Sequence, residues 1–315
     1  MKIVTLLPSA TEIICKLGLE KNLTGISHEC DFPSSIRNLP KLTSSSIGEY
    51  RNSAEIHLSV EKLLKDSISI YNLNLELLES LRPDYLITQN LCDVCAVSFN
   101  QVEDACKQIL GPETKIIPLQ PQRFNDISED VRRVAQELGS VPAYEMFKAD
   151  MEQRIKYISK TLTDHQPKKQ SVLTIEWFDP VMIGGLWIPE MINIAGGSYL
   201  LASVGGNAFT ATWDNLTKIN PDVVIIKPCG FKLDQTLQEL EALKKNIPWE
   251  GWTAYQEMKV FIVDGNAYFN RSGPRIIDSL EILAYCIHPE VFSEFLKKYR
   301  HALIRLEADL KLSSN

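Results

Sequence analysis

Residues 1–33, MKIVTLLPSATEIICKLGLEKNLTGISHECDFP, decide the fold class, because two apolar segments flank a helical pattern. The apolar segments predict strands over 2–7 and 23–27. Between them, Ser9 and Glu12 have the spacing of a capping box, which predicts a helix that begins at Ser9 and ends near Gly18. A strand, a helix and a second strand in this order are typical of a parallel sheet with crossover helices.

The same alternation continues through the rest of the chain. Further strands are predicted over 84–89, 115–119, 171–177, 181–184, 222–227 and 259–264. Further helices are predicted over 54–65, 74–81, 98–110, 126–138, 143–163, 189–195, 234–245 and 274–287. We therefore expect an α/β fold of two lobes with mainly parallel sheets, joined by a single long helix, with a ligand cleft between the lobes. The expected boundaries are an N-terminal α/β lobe over 1–140, a linking helix over 141–168 and a C-terminal α/β lobe with terminal helices over 169–315.

Composition and charge narrow the class of partner. The 315 residues carry a net charge of −7 and no basic cluster, which argues against nucleic acid and anionic membranes. The longest apolar runs, such as 223–226, are far shorter than the roughly 18 residues of a membrane span, so no membrane insertion is expected. No secretory signal precedes the first strand, so we expect a cytoplasmic protein if Met1 is the native start, and a periplasmic one only if a leader was trimmed.

The seven cysteines are an odd number and indicate thiols or metal ligands rather than a disulfide framework. Cys15, Cys106 and Cys286 lie in apolar helical patterns and are predicted core residues. The other four follow strand ends, and with one histidine they form a candidate site for zinc, copper(I) or a metal complex. Its candidate ligands are His28, Cys30, Cys92, Cys95 and Cys229. The alternatives are small buried thiols and a redox role for the Cys92 and Cys95 pair.

Candidate ligand contacts follow from topology, because binding loops lie at the carboxyl ends of parallel strands. Tryptophan, phenylalanine and tyrosine in these segments offer flat surface for a macrocycle or an aromatic ring. The predicted ligand-binding residues are Ser9, His28, Glu29, Trp177, Phe178, Phe231, Asn266, Tyr268, Phe269 and Arg271. Trp177 and Phe178 are expected to be exposed, since they precede Asp179-Pro180. The alternatives are that about half of the aromatic residues belong to the core and that the loop at 266–270 satisfies its own backbone.

Glu176 lies near the end of an apolar strand, where an unpaired buried carboxylate would be costly. If Glu176 is buried, it should have a cationic partner, and Arg271 and Arg275 are the candidates. The more favoured role for such an arginine is structural pairing, and the alternative is that it holds an anionic ligand group.

Several motifs together resemble a known family. They are Pro8-Ser9-Ala10-Thr11-Glu12, residues 25–33, residues 81–87, residues 220–225, residues 92–98, Pro228-Cys229-Gly230-Phe231 and residues 265–271. The chain is similar to class III periplasmic-binding-protein-like proteins, which bind cobalamin and iron chelates for ABC transporters, and within them to a leaderless, cobalamin-binding-like branch.

The resemblance implies a non-enzymatic substrate-binding protein for a small ligand, with cobalamin (vitamin B12) or another corrinoid as the ligand. A metal chelate and zinc remain open. The implied partners are ABC transporter membrane subunits if the protein is exported. In the cytoplasm the implied role is that of a carrier, scavenger or sensor. The alternative is an enzyme or metal-binding protein that uses His28 as acid or base and Cys30, Cys92 or Cys229 as nucleophile or ligand.

Overall fold

The computed structural model describes residues 1–46, 52–65, 70–90, 102–104 and 106–306, without the side chains of 64, 65, 106 and 107. Within it the chain forms two compact units. The first unit comprises Met1–Arg51, Glu55–Pro121 and Asn125–Ala149, and the second comprises Asn52–Ala54, Gln122–Phe124 and Asp150–Asn315. The division between 149 and 150 falls inside one helix, which runs from Val141 to His165.

The first unit is built on a four-stranded parallel sheet. The strands of this unit, four in the sheet and two in a separate ribbon, are β1 (Ile3–Thr5), β2 (Leu23–Gly25), β3 (Thr43–Ser45), β4 (Tyr71–Leu73), β5 (Tyr85–Gln89) and β6 (Lys115–Leu119). The sheet has the order β2-β1-β5-β6, and β3 pairs with β4 in an antiparallel ribbon. Its helices are α1 (Pro8–Lys16), α2 (Ser53–Lys65), α3 (Leu75–Leu81) and α4 (Phe124–Glu137), and the helix Val141–His165 is α5. One core cluster joins Val4, Leu6 and Leu86 of the sheet region to Leu42 and Leu78.

The second unit contains a larger, mixed sheet. Its strands are β7 (Gln170–Phe178), β8 (Val181–Ile183), β9 (Gly197–Tyr199), β10 (Phe209–Thr210), β11 (Val223–Ile226), β12 (Val260–Val263) and β13 (Leu303–Arg305). The order is β10-β8-β7-β11-β12-β13, with β9 pairing in parallel with the start of β7. The central strands β7, β11 and β12 are parallel, whereas β8, β10 and β13 run antiparallel to their neighbours.

Seven further helices belong to the second unit. They are α6 (Ile188–Ile194), α7 (Trp213–Thr217), α8 (Leu233–Gln238), α9 (Leu240–Asn246), α10 (Thr253–Gln256), α11 (Ile276–Ile287) and α12 (Ser293–Tyr299). The helix predicted over 234–245 is therefore two helices, α8 and α9, which meet at Glu239. In the described parts of the chain, no helix combines the length and apolar character needed to cross a membrane.

A buried ionic network fixes the second half of α5 onto α11 and α12. Arg154 donates from Nε to Glu281 Oε1 at 2.7 Å, and the Tyr299 hydroxyl lies 2.5 Å from Glu281 Oε2 and 2.7 Å from Asp278 Oδ1, with its one proton shared between these two acceptors. Burial, followed by the charges of these two carboxylates, raises the pKa of Tyr299 far above its usual value. The phenol is therefore a permanent donor, and the three helices form one packed body within this unit.

The predicted α/β class with mainly parallel sheets is confirmed. Each of the eight strands predicted over described residues is present to within a few positions. The strands that sequence reasoning missed are β3, β4, β9, β10 and β13, which have two or three residues each and lack a sustained apolar pattern. The predicted helix over 98–110 falls partly outside the described residues.

Candidate functional site

Trp177, Phe231 and Asn266 form a cluster that we call the aromatic edge, at the carboxyl ends of the parallel strands β7, β11 and β12. Asn266 donates its backbone N–H to the Phe231 carbonyl at 3.0 Å, which joins the segments that follow β11 and β12. Gly265 allows this close approach, because a Cβ atom there would lie 2.1 Å from the Pro228 carbonyl oxygen. Three predicted ligand-binding residues are thus brought together at one edge of the sheet, as the parallel topology requires.

The two aromatic rings of this edge pack against each other. The ring centroids of Trp177 and Phe231 are 5.3 Å apart with a tilt of 59°, within the range of favourable aromatic contacts. Trp177 is half-buried, and its indole Nε1 donates to the backbone carbonyl of Ser53 at 3.2 Å. Because its one polar atom is satisfied, the exposed part of the Trp177 ring is a flat apolar surface held in a fixed orientation.

The expectation that Phe178 is exposed is wrong. Its side chain has no exposed surface and lies in the same core cluster as Leu173 and Ile175. Simple alternation along β7 would turn residue 177 inward after 173 and 175. The pairing of β7 with β8 shifts register between Ile175 and Trp177, and such a bulge changes which face each later residue occupies. Phe178 is therefore the inward residue, and Trp177 is left at the edge.

Two aromatic residues of the segment after β12 are also tied into the protein. Phe269 has no exposed surface and belongs to the core. Tyr268 is 9% exposed, its hydroxyl lies 3.0 Å from His301 Nε2, and the Arg275 guanidinium sits 5.3 Å from the centre of its ring. These contacts give both side chains a structural role in this structure.

Several polar groups of this segment form hydrogen bonds with one another. Asp264 accepts the backbone N–H of Ala267 at 2.7 Å and so caps the short helical turn Gly265–Phe269. Arg271 is buried and donates from Nη2 to Asn266 Oδ1 at 3.2 Å. Arg271 therefore orients the Asn266 amide at the aromatic edge.

The partner predicted for Glu176 is also wrong. The cation beside it is Lys227, whose Nζ lies 3.1 Å from Glu176 Oε1 and whose side chain is completely buried. Lys227 directly follows the four apolar residues of β11 and extends from the end of that strand toward the end of β7. Within the described parts of the chain, no acceptor is aligned for a hydrogen bond from this ammonium, so its link to Glu176 is chiefly electrostatic.

In the first unit, a second cluster follows β2, and we call His28, Glu29, Thr43 and Tyr71 the histidine edge. His28 Nδ1 lies 2.7 Å from Thr43 Oγ1, and the His28 backbone N–H donates to the same oxygen at 3.0 Å. The Tyr71 hydroxyl donates to Glu29 Oε1 at 3.1 Å, and its ring centroid is 5.6 Å from that of His28. The unpredicted ribbon of β3 and β4 thus positions His28, since Thr43 and Tyr71 lie on those strands.

Burial lowers the pKa of His28 below its ordinary value of 6.5, and the positive charge of Lys41 lowers it further. The imidazole is therefore neutral near pH 7 and keeps a lone pair on one ring nitrogen. When the proton is on Nδ1 and is donated to Thr43 Oγ1, the lone pair of Nε2 is available to a metal.

Ser9 does not cap a helix as predicted. Helix α1 begins one residue earlier, at Pro8, with Leu7 before it and no side-chain cap. Proline is favoured at the first helical position because it has no N–H to satisfy. Ser9 lies inside the helix and is 4% exposed.

The predicted metal ligands have separate surroundings where the structure describes them. Cys30 is buried, with Sγ 3.0 Å from the hydroxyl of Thr11, whereas His28 contacts Thr43. Cys229 is an exposed residue of the second unit. No three His, Cys, Asp or Glu side chains in the described ranges are placed to share a metal ion. Cys92 and Cys95 lie outside those ranges, so the five-residue metal site stays a prediction.

The three cysteines predicted to lie in the core differ in how far the structure describes and buries them. Cys286 has no exposed surface, which confirms its core assignment. Cys15 is half-buried, and burial followed by the nearby Glu20 raises its pKa to about 12. The side chain of Cys106 is outside the described set.

Comparison with known proteins supports the fold. The chain is 24% identical over 298 residues to an uncharacterized ABC transporter substrate-binding lipoprotein, YvrC, of Bacillus subtilis, covering 93% of this chain and 82% of that protein. A periplasmic heme-binding protein from Pseudomonas aeruginosa superposes with a TM-score of 0.68 at 17% identity, over 92% of this chain and 93% of that one. A periplasmic vitamin B12-binding protein of Vibrio cholerae superposes with a TM-score of 0.59 at 16% identity, over 91% and 96% of the two chains.

The family model described as periplasmic binding protein matches residues 3–267, which include both the histidine edge and the aromatic edge. The match extends from β1 to the turn that follows β12. The chain therefore belongs to the periplasmic binding protein family.

Proposed function

We propose that this protein is the substrate-binding protein of an ABC transporter and that its ligand is a metal-centred macrocycle, either heme or a corrinoid. The observation that carries the proposal is the Trp177–Phe231 pair, which offers a fixed flat surface at the carboxyl edge of a parallel sheet. Family membership supports the transport role, and similar structures are named for heme and for vitamin B12.

The aromatic edge suits a ring-shaped ligand. Stacking on an aromatic ring adds about 0.5–1.5 kcal/mol to the free energy gained from burying its area. Trp177 is half-buried and its indole N–H is already bonded, so a ligand ring can cover its face without breaking a hydrogen bond. Asn266, oriented by Arg271, adds a polar group to the same edge of the sheet.

The histidine edge, taken within the first unit alone, offers a nitrogen donor that suits a transition metal. With its proton on Nδ1, His28 donates to Thr43 Oγ1 and presents the lone pair of Nε2. The lowered pKa keeps this nitrogen unprotonated near pH 7. Nitrogen from a neutral imidazole is a good ligand for iron and for other transition metals.

The partner of the loaded protein depends on its compartment. An ABC importer receives its ligand from a binding protein outside the cytoplasm, and a binding protein that stays in the cytoplasm is the alternative. In the cytoplasm the same ligand site would serve a carrier, scavenger or sensor. Immunoblotting of cytoplasmic, membrane and periplasmic fractions separates these possibilities.

Absorbance titration of the purified protein with hemin and with cobinamide tests the ligand class. We expect saturable binding of at least one macrocycle at one site per chain, and no binding of either would refute the proposal. Trp177→Ala should weaken binding by about tenfold because stacking and burial are lost together. Trp213→Ala is the matched control, since Trp213 is 55% exposed on α7 and lies outside the aromatic edge.

The metal contact has its own spectroscopic test. His28→Gln should shift the absorption bands of a bound iron or cobalt macrocycle, because a nitrogen ligand is removed. His165→Gln is the control, as His165 is exposed at the end of α5. Identical spectra for His28→Gln and the wild type would exclude His28 as the metal ligand.

A further inference from the structure

We propose that Glu176 is a ligand contact that selects the class of macrocycle, favouring a corrinoid with peripheral amide donors over heme with its carboxylates. This inference rests on the proposed function and adds a residue outside the predicted ligand-binding set. It depends on three features next to the aromatic edge: the partial exposure of the Glu176 carboxylate, the burial of its cationic partner and the close packing around both.

Glu176 lies at the bulge in β7, directly before Trp177. Bulges are frequent where a strand aims a side chain toward a site. The side chain of Glu176 is 20% exposed, whereas the Lys227 side chain paired with it is 0% exposed. A ligand that approaches this pair therefore meets the carboxylate first, and the ammonium lies behind it.

Gly184 provides the space in which this pair sits. A Cβ atom at position 184 would lie 2.8 Å from Glu176 Oε2, 2.9 Å from Thr174 Oγ1 and 3.1 Å from Lys227 Nζ. The Tyr199 hydroxyl is hydrogen-bonded to the Thr174 hydroxyl at 2.5 Å and donates to the Gly184 carbonyl at 2.7 Å. The backbone and side chains around the carboxylate are thus held in place before a ligand arrives.

Two cations, Lys232 and Arg271, also lie in the segments that follow β11 and β12. Arg271 is 5% exposed and donates to Asn266, so its charge is directed into the protein. Lys232 is exposed one residue after Phe231, in the segment that follows β11, whereas Glu176 lies in β7 itself. Glu176 directly precedes Trp177 at the bulge, so under this proposal a macrocycle stacked on Trp177 has peripheral groups within reach of the carboxylate.

The chemistry of the two ligand classes then differs at Glu176. A corrinoid carries amide N–H groups at its periphery, which can donate to a carboxylate in a charge-assisted hydrogen bond. Heme carries two propionates, which are repelled by a partly exposed carboxylate whose neutralising ammonium lies behind it. Glu176 therefore accepts hydrogen bonds from neutral N–H donors and disfavours the binding of anionic groups.

The first test uses the wild-type protein and changes only the ligand. Hemin and its dimethyl ester share the metal and the ring but differ in the two propionate charges. We expect the diester to bind at least about tenfold more tightly than hemin, and cobinamide to bind at least as tightly as the diester. If hemin binds as tightly as its diester, the inference is overturned while the proposed function stands. If no macrocycle binds, both are overturned.

A double variant ties the preference to this pair. Glu176→Gln combined with Lys227→Met removes both charges, so that no buried ammonium is left without a counter-ion. In this variant we expect hemin and its diester to bind within about threefold of each other, because the repulsion is gone. Thermal unfolding checks that the double variant is folded, and a folded variant that retains the wild-type difference between hemin and diester would overturn the assignment to Glu176.

Discussion

The histidine edge and the aromatic edge both lie at the carboxyl ends of parallel strands, yet they are stabilised differently. Hydrogen bonds between uncharged groups hold His28 at the histidine edge, where Thr43 Oγ1 contacts His28 and the Ser27 hydroxyl. A buried ion pair, Lys227 with Glu176, and close backbone packing hold the aromatic edge. The difference teaches that the aromatic edge should be far less tolerant of losing one partner, since a buried charge without its counter-ion costs more than a lost neutral hydrogen bond.

The largest effect is expected from Glu176→Gln. This change leaves the fully buried Lys227 ammonium beside a neutral amide, and breaking a buried pair in this way costs about 3–5 kcal/mol. Urea unfolding measures the loss in the free energy of unfolding. Glu257→Gln is the matched control, because the Glu257 side chain is 53% exposed in its pair with Lys259, and it should leave the midpoint unchanged.

A double-mutant cycle sharpens this expectation. Lys227→Met in the Glu176→Gln background removes the orphaned charge, and most of the lost stability should return. If the two single changes were additive in the double variant, Lys227 and Glu176 would not be coupled, and the contrast between the two edges would fail.

A smaller effect is expected from Thr43→Val at the histidine edge. The variant loses the hydroxyl that contacts His28 and Ser27 but leaves no charge unpaired, so we expect a loss of about 1–2 kcal/mol in the free energy of unfolding. Thr163→Val on the exposed surface of α5 is the control. A loss at Thr43 as large as that at Glu176 would contradict the contrast.

The aromatic edge could be predicted in part from the sequence. Trp177 lies near the end of an apolar strand, Phe231 and Asn266 follow two others, and parallel topology brings the ends of such strands together. Phe178 was misplaced because a bulge changes the face of later residues without a distinctive sequence pattern. Lys227 was missed as the partner of Glu176, although a lysine directly after four apolar residues of a central strand was an available indication.

The histidine edge was less predictable. His28 and Glu29 were recognised as following a strand, but their partners Thr43 and Tyr71 lie on two three-residue strands whose sequences, TSS and YNL, have no strand pattern. Tertiary pairing rather than local propensity creates that ribbon. The same limit applies to His28 and Cys30, which are two residues apart but contact different threonines, Thr43 and Thr11.

The smallest effect concerns pH and compares one histidine from each unit. Burial lowers the pKa of His28 and of His288 from the ordinary value of 6.5, and His288 Nε2 lies 3.3 Å from the Gly196 carbonyl oxygen. Below pH 6.5 the unfolded chain binds protons at these imidazoles before the folded chain does, so the free energy of unfolding falls as the pH falls toward the lowered values.

His28→Gln and His288→Gln each remove the contribution of one imidazole to the pH dependence of the free energy of unfolding. The contributions of all other titrating groups are the same in variant and wild type, so they cancel in the difference. Urea midpoints at about pH 7.5, 6.5 and 5.5, which bracket the ordinary histidine pKa, measure the effect. Each variant should be less stable than the wild type at the highest pH, and that deficit should shrink on acidification. If the loss of stability shrinks on acidification for one variant but stays constant for the other, the acid sensitivity belongs to a single unit. If it stays constant for both variants, neither imidazole is held neutral by the fold.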